Sequence, residues 1–292
     1  MSVAVFQGFI DIHFEMIGFA LDYLRNSNAR IEVFIQPSEL ANQWMELYST
    51  MFQFNLNSIN TYNPTEHSCT FLLTDDDPHF PGHASMDNVI IINHHAGIRR
   101  HSGLHFVYTR PHSFDTNRLW ALPVFKYVPF DTKATLLGRP PVVTCVGIGC
   151  MGNIQTYEQL LAQNPGITIN VISRRIHLPS IPGLNLFPNA PASVMFEICK
   201  NSTHILFLDE SVDRAKLAMS GALPLAFSTG CRIIMPSNWE YSFDSVQRFT
   251  DISDIMIKPL DTESLSKSYK ELDSLIKHRD DILNALMEKI RR

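Results

Sequence analysis

Short apolar runs alternate with amphipathic stretches along most of the chain. Residues 3–9, Val-Ala-Val-Phe-Gln-Gly-Phe, read as a strand buried on both faces and ending near a glycine. Residues 12–25 follow with Phe14, Ile17, Ala20, Leu21 and Leu24 on one helical face. Apolar or β-branched runs predict further strands at residues 30–35, 70–74, 89–92 and 106–108, and Pro37-Ser38 opens a helix through Leu40, Trp44, Leu47 and Met51. A stretch dotted with Pro123, Pro129, Gly138, Pro140 and Pro141 interrupts the pattern and reads as a linker. It then restarts. Strands are expected at residues 142–147, 169–172, 184–187, 205–208, 232–235 and 255–257, and helices at 154–163 and 192–200. From Asp261 a closing helix runs almost to the end, with Leu265, Tyr269, Leu272, Ile276, Leu283, Leu286 and Ile290 on its apolar face.

Alternating strands and helices in both halves predict an α/β protein with two doubly wound sheets facing across a cleft. The expected domains are residues 1–138 and 139–292, the last helix packing back on the first. The 292 residues are enough for two such cores, and 45% hydrophobic residues exclude a disordered chain. A net charge of −5 argues against nucleic acid as a partner. The basic finish, Lys289, Arg291 and Arg292, suits a helix C-terminus, leaving room for a peripheral membrane contact. No run of eighteen apolar residues predicts a membrane span, and Asp11, His13 and Glu15 interrupt what would otherwise read as a signal peptide. The expectation is a cytoplasmic protein.

Cys69, Cys145, Cys150, Cys199 and Cys231 contain no CxxC pair and read as reduced, mostly buried thiols. The pairs His79/His83 and His101/His105 have metal-ligand spacing, but Pro78, Pro81, Gly82 and Gly103 argue against the helix that would present them. No metal and no cofactor is expected. Asp75, Asp76 and Asp77 directly follow a strand and read as capping and solvated residues.

Candidate chemistry gathers at strand carboxyl ends, where ligands bind in open parallel sheets. Ser220, Gly221 and Ala222 open a helix whose first amides suit a phosphate. Gly149 and Gly152, with Asn153, form a turn through which backbone amides can approach a diphosphate. Arg174 and Arg175 close the next strand with two guanidinium forks. Asp11 and His13 follow the first strand, where a neutral imidazole oriented by a carboxylate can take a proton from a hydroxyl. The alternative is a helix start, with Asp11 as its N-cap.

The run from residue 220 to 236, a small-residue turn, a helix, Gly230 and a strand, resembles the nucleotide-sugar-binding segment of GT-B glycosyltransferases, nearest to family 4 and its relatives. The closing helix after Lys258-Pro259 is similar to the end of many such chains. The resemblance implies transfer of a sugar from a nucleotide-sugar donor to the hydroxyl of a glycan or other small acceptor. It implies His13 as general base, His94 or His95 reaching the donor sugar or acceptor, and Asn189 reading the nucleobase. The sequence departs from the family at Leu217 and Leu225, where many members carry glutamates. That departure supports the alternative of a GT-B-like protein that binds a nucleotide or glycan without turnover. Family 4 likeness implies retention of the anomeric configuration, and the place of His13 implies inversion. A nicotinamide-dependent oxidoreductase lacks the dinucleotide fingerprint and its ribose-binding acid.

Overall fold

The computed structural model describes residues 2–9, 14–75, 77–81, 87–93, 105–109, 118–147, 153–174, 177–209, 221–240 and 243–291. It divides into two compact units. Unit 1 comprises residues 1–125, 217–221 and 275–292, and unit 2 comprises residues 126–216 and 222–274.

In unit 1 the strands are β1 (Ser2–Gln7), β2 (Arg30–Ile35), β3 (Asn55–Ser58), β4 (Cys69–Leu72), β5 (Val89–Asn93) and β6 (His105–Tyr108). They form one sheet in the order β3-β2-β1-β4-β5-β6, every pairing parallel. Val89–Asn93 is buried throughout, which accounts for its run of β-branched residues. One face packs Ala4, Phe6, Phe34, Leu72, Phe80, Val89 and Ile91 into a core, with Tyr62 edge-on to Phe6 and Phe34. Helix α1 (Glu15–Leu24) is almost wholly buried, whereas the segment after Pro37 forms only a single 3-10 turn, Pro37–Glu39. Helix α2 (Gln43–Ser49) starts afresh where the Asn42 side chain accepts from Trp44 N.

In unit 2 the strands are β7 (Val142–Val146), β8 (Thr168–Ser173), β9 (Leu184–Pro188), β10 (His204–Leu206), β11 (Arg232–Pro236) and β12 (Val246–Phe249). Their order is β12-β11-β10-β7-β8-β9, again all parallel. Its helices are α3 (Phe130–Ala134), α4 (Ile154–Gln163), α5 (Ala192–Lys200) and α6 (Ala222–Ser228). Helix α7 (Thr262–Arg291) contributes its first part to unit 2 and its remainder, from Leu275, to unit 1.

Both sheets follow the doubly wound order 3-2-1-4-5-6 when strands are numbered within each unit. The fold class is as the alternation of elements implied. The strand expected at residues 255–257 is absent. Ile255 and Ile257 enter the unit 2 core from a loop, and side-chain amides replace the missing ladder. Asn164 donates to Ile255 O at 3.0 Å and accepts from Ile257 N at 2.7 Å, while Gln163 donates to Ile252 O and Ile255 O. The sixth strand is β12 instead.

Two buried cations are held differently. In unit 1, Arg279 on α7 pairs with Asp22 on α1 at 2.9 Å, both side chains almost fully buried, and donates to Val124 O at 2.7 Å. In unit 2, Lys133 on α3 is fully buried, and among the described residues its contacts are carbonyls and a thiol, with no carboxylate.

Candidate functional site: the carboxyl edges of the two sheets

In each sheet the connections reverse direction between its first and fourth strands, β1 and β4 in unit 1, β7 and β10 in unit 2. The crevice at such a reversal, outside the strands' carboxyl ends, is where doubly wound sheets take ligands.

On unit 2 the chain leaves β7 through Gly147, whose φ of +87° lets it turn away while its amide donates to Ile172 O at 2.9 Å. Asn153 enters α4 as its N-cap, its Oδ1 accepting from Thr156 N and Oγ1, both at 3.0 Å. That side chain is exposed at the edge and its oxygen is committed to the helix. Ser173 ends β8, and its carbonyl accepts from the amide of Asn189 at 3.2 Å. Arg174 and Asn189 thereby sit at the ends of adjacent strands, both exposed, Asn189 in the left-handed conformation at φ 51°. Beyond β10 the carbonyl of Asp209 accepts from Trp239 Nε1 at 2.8 Å, and Trp239, 2% exposed, packs on Phe207. Arg248 fixes that loop by donating to Pro236 O and Trp239 O. The edge thus carries an exposed guanidinium and amides at β8 and β9, and a buried aromatic anchor beyond β10 and β11. Sequence reading passed over Trp239; the signal available was an aromatic with a ring N–H just past a buried strand.

The turn before α6 is placed differently from a phosphate cradle. Helix α6 has 7 residues, all buried, including Ala222 at 7% exposure. Gly221, assigned to unit 1, has the Glu15 carboxylate against its Cα, so that a Cβ there would lie 2.5 Å from Oε1. An acidic group already occupies the space beside this turn.

On unit 1 the described part of the edge carries acidic side chains bonded to neighbouring protein groups. Asp77 Oδ2 accepts from Gly8 N at 2.5 Å and its Oδ1 from His79 N at 2.9 Å. Asp75 accepts from Asn93 Nδ2 at 3.1 Å, Thr74 donates to Gln7 Oε1 at 3.5 Å, and Gln36 donates to Gly8 O at 2.8 Å. Asp77 caps two backbone amides as expected, whereas Asp75 bonds a side-chain amide, and at 1% and 2% exposure neither is the solvated acid that was expected. Among the described residues no group of three His, Cys, Asp or Glu is placed to hold a metal ion.

His13, Asp11, His94, His95, Gly149, Gly152, Arg175 and Ser220 lie outside the described residues. Of the sequence-derived candidates, the structure brings Asn153, Arg174 and Asn189 to one sheet edge and sets Gly221 and Ala222 at the entry to a buried helix.

No family model matches this sequence, and no curated protein matches it. Solved structures do. Anabaena HepE in complex with UDP and glucose aligns at a TM-score of 0.57 with 8% identity, covering 100% of this chain and 98% of that one. The Neisseria meningitidis UDP-GlcNAc 2-epimerase bound to UDP-GlcNAc aligns at a TM-score of 0.46 and 11% identity, covering 97% and 94%. The E. coli ADP-heptose lipopolysaccharide heptosyltransferase II aligns at 0.46 and 11%, covering all of both chains. The HepE alignment shows shared architecture alone: this chain has the two-sheet α/β fold of GT-B proteins. Among the described residues no helix is long and apolar enough to cross a membrane.

Proposed function

We propose that this chain is a glycosyltransferase that moves a hexosyl or pentosyl group from a nucleotide-sugar donor to an acceptor hydroxyl on a glycan or small molecule, without metal or cofactor. The observation that carries the reading is the edge of unit 2, where Arg174 and Asn189 stand exposed at the ends of the adjacent strands β8 and β9. A guanidinium pairs with diphosphate oxygens, and an exposed amide can read a nucleobase edge. Anabaena HepE, which shares the fold, was solved with UDP and glucose. In this reading Gly149, Gly152, Asn153, Arg174, Arg175 and Asn189 serve the donor. His94 or His95 contacts the sugar or acceptor, and His13, oriented by Asp11, accepts the acceptor's proton. Fixed donors stabilise the leaving diphosphate in place of a metal. The setting is cytoplasmic, and the family 4 subgroup is the nearest model for the second half.

A second reading, nucleotide or glycan binding without turnover, is favoured by Leu225. It is 6% exposed on α6, where family 4-like enzymes carry a glutamate.

Thermal unfolding in the presence of UDP, GDP, dTDP, CMP and NAD separates these from an oxidoreductase, because a ligand at about 100 times its Kd adds roughly 2.7 kcal/mol. A nucleoside diphosphate is expected to stabilise the chain and NAD to leave it unchanged. Release of that nucleotide from the matching sugar donor, abolished in His13→Ala, identifies the transferase. Binding without release identifies the binder, and full turnover in His13→Ala removes His13 as base.

A further inference from the structure

The proposed transfer leaves one buried reactive pair in unit 2 unused. Lys133 lies at 0% exposure with its Nζ on the carbonyls that end α5, Cys199 O at 3.0 Å and Lys200 O at 3.1 Å, and on Cys231 Sγ at 3.2 Å. These carbonyls lie at the C-terminal end of α5 and carry its negative end, which is why a cation is tolerated here without a carboxylate. Cys231, 2% exposed just before β11, directs its thiol at Cys199 O (3.2 Å) and Ser202 O (3.4 Å). Lys133 meets Cys199 through that residue's carbonyl, so the sulfur in its reach is that of Cys231. An amine held against a sulfur and away from water is placed to trap an oxidised form of that sulfur before further oxidation.

We propose that Lys133 and Cys231 are an oxidative modification site that closes a reversible sulfur–nitrogen crosslink in response to a peroxide. Hydrogen peroxide oxidises the thiol to a sulfenic acid, its O–O bond breaking and one oxygen leaving as water. Nζ then attacks Sγ, the S–O bond breaks, and the departing hydroxide leaves as water with a proton from nitrogen. A lysine that begins as ammonium releases one further proton to solvent. A thiol reductant reverses the bond by attacking Sγ, expelling the amine, and a second thiol equivalent restores Cys231.

Peptide mapping by mass spectrometry tests this on the full chain after exposure to hydrogen peroxide, unfolding and alkylation. The expected product joins the peptides containing positions 133 and 231, at their summed mass less two hydrogens. It disappears on dithiothreitol treatment, is absent from Cys231→Ser and persists in Cys199→Ser. Mapping of the wild-type chain stands alone if a variant fails to fold. Any of four results overturns the proposal: a sulfinic acid at Cys231 with Lys133 unmodified, a Cys199–Cys231 disulfide, a crosslink that retains an oxygen atom, or an unoxidised Cys231.

Discussion

The two sheets share one strand order, yet their carboxyl edges differ in chemistry. The edge of unit 1 is lined by Asp75, Asp77, Thr74 and Asn93, nearly all of their surface buried and their polar atoms bonded to neighbouring protein groups. The edge of unit 2 presents Asn153, Arg174 and Asn189 to solvent. Topology determines where a site can form in a doubly wound sheet, and the side chains at the strand ends set the charge that each edge presents. Unit 1's carboxylates hold its own loops, and unit 2's guanidinium is exposed.

Substitutions can break this contrast. Asp77→Ala removes the acceptor for two amides, Gly8 N and His79 N, in a nearly water-free place, and is expected to lower unfolding stability by about 3 kcal/mol in urea titration. Arg174→Ala is expected to cost less unfolding stability than Asp77→Ala and to weaken binding of the stabilising nucleoside diphosphate about tenfold by calorimetry, roughly 1.4 kcal/mol. If the two effects are exchanged, the assignment of roles to the two edges is wrong.

The amino edges sharpen the contrast through pH. Each unit places a histidine at or just before its fourth strand. His67 stacks on Tyr62, hydrogen-bonds Ser2 Oγ at 3.1 Å and has its pKa lowered by burial, while nearby Glu32 and Glu66 oppose that shift. His204 is fully buried, and burial together with the Arg232 and Lys133 charges pushes its pKa down to about 3. The Thr203 hydroxyl donates to Val142 O and accepts from Val142 N, so His204 donates its Nδ1 proton to Thr203. Its Nε2 is left as a buried acceptor with no partner among the described residues. Because the folded pKa is depressed, the neutral ring's contribution is complete above pH 6.5 and is lost as pH falls toward about 3. Unfolding free energies from urea titration in that window should fall by roughly 1.4 kcal/mol per pH unit of acidification from this group, and His204→Gln should flatten the slope. The smallest expected effect is Asn153→Ala, which removes the cap of α4 and costs about 1 kcal/mol in the same titration.

Much of this fold was legible because a central parallel strand has no alternative but continuous apolar sequence. Val89–Asn93 and Val142–Val146 are examples. The edge strands were not legible. Asn55–Ser58, Asn-Leu-Asn-Ser, has no buried residue, and Val246–Phe249 buries only its last, so neither needs the pattern that announces a strand. Ile255 and Ile257 misled in the other direction, because the amides of Gln163 and Asn164, remote in sequence, supply their backbone partners. At the candidate site, Arg174 and Asn189 were legible as polar residues at strand ends. The carboxylate of Glu15 beside Gly221 was not, since some 200 residues of chain separate them and no local pattern links such positions.

The turn that ends α6 sets a limit on how this protein can vary. Gly230 adopts φ +65°, and a Cβ there would lie 2.5 Å from the ring of Tyr269, whose hydroxyl is anchored on Val128 O at 2.7 Å. Position 230 has room for a hydrogen atom and no more, so its freedom to drift is tied to that of position 269. A descendant with a side chain at position 230 must carry a smaller residue at 269, and would lose the tether to Val128 in the exchange.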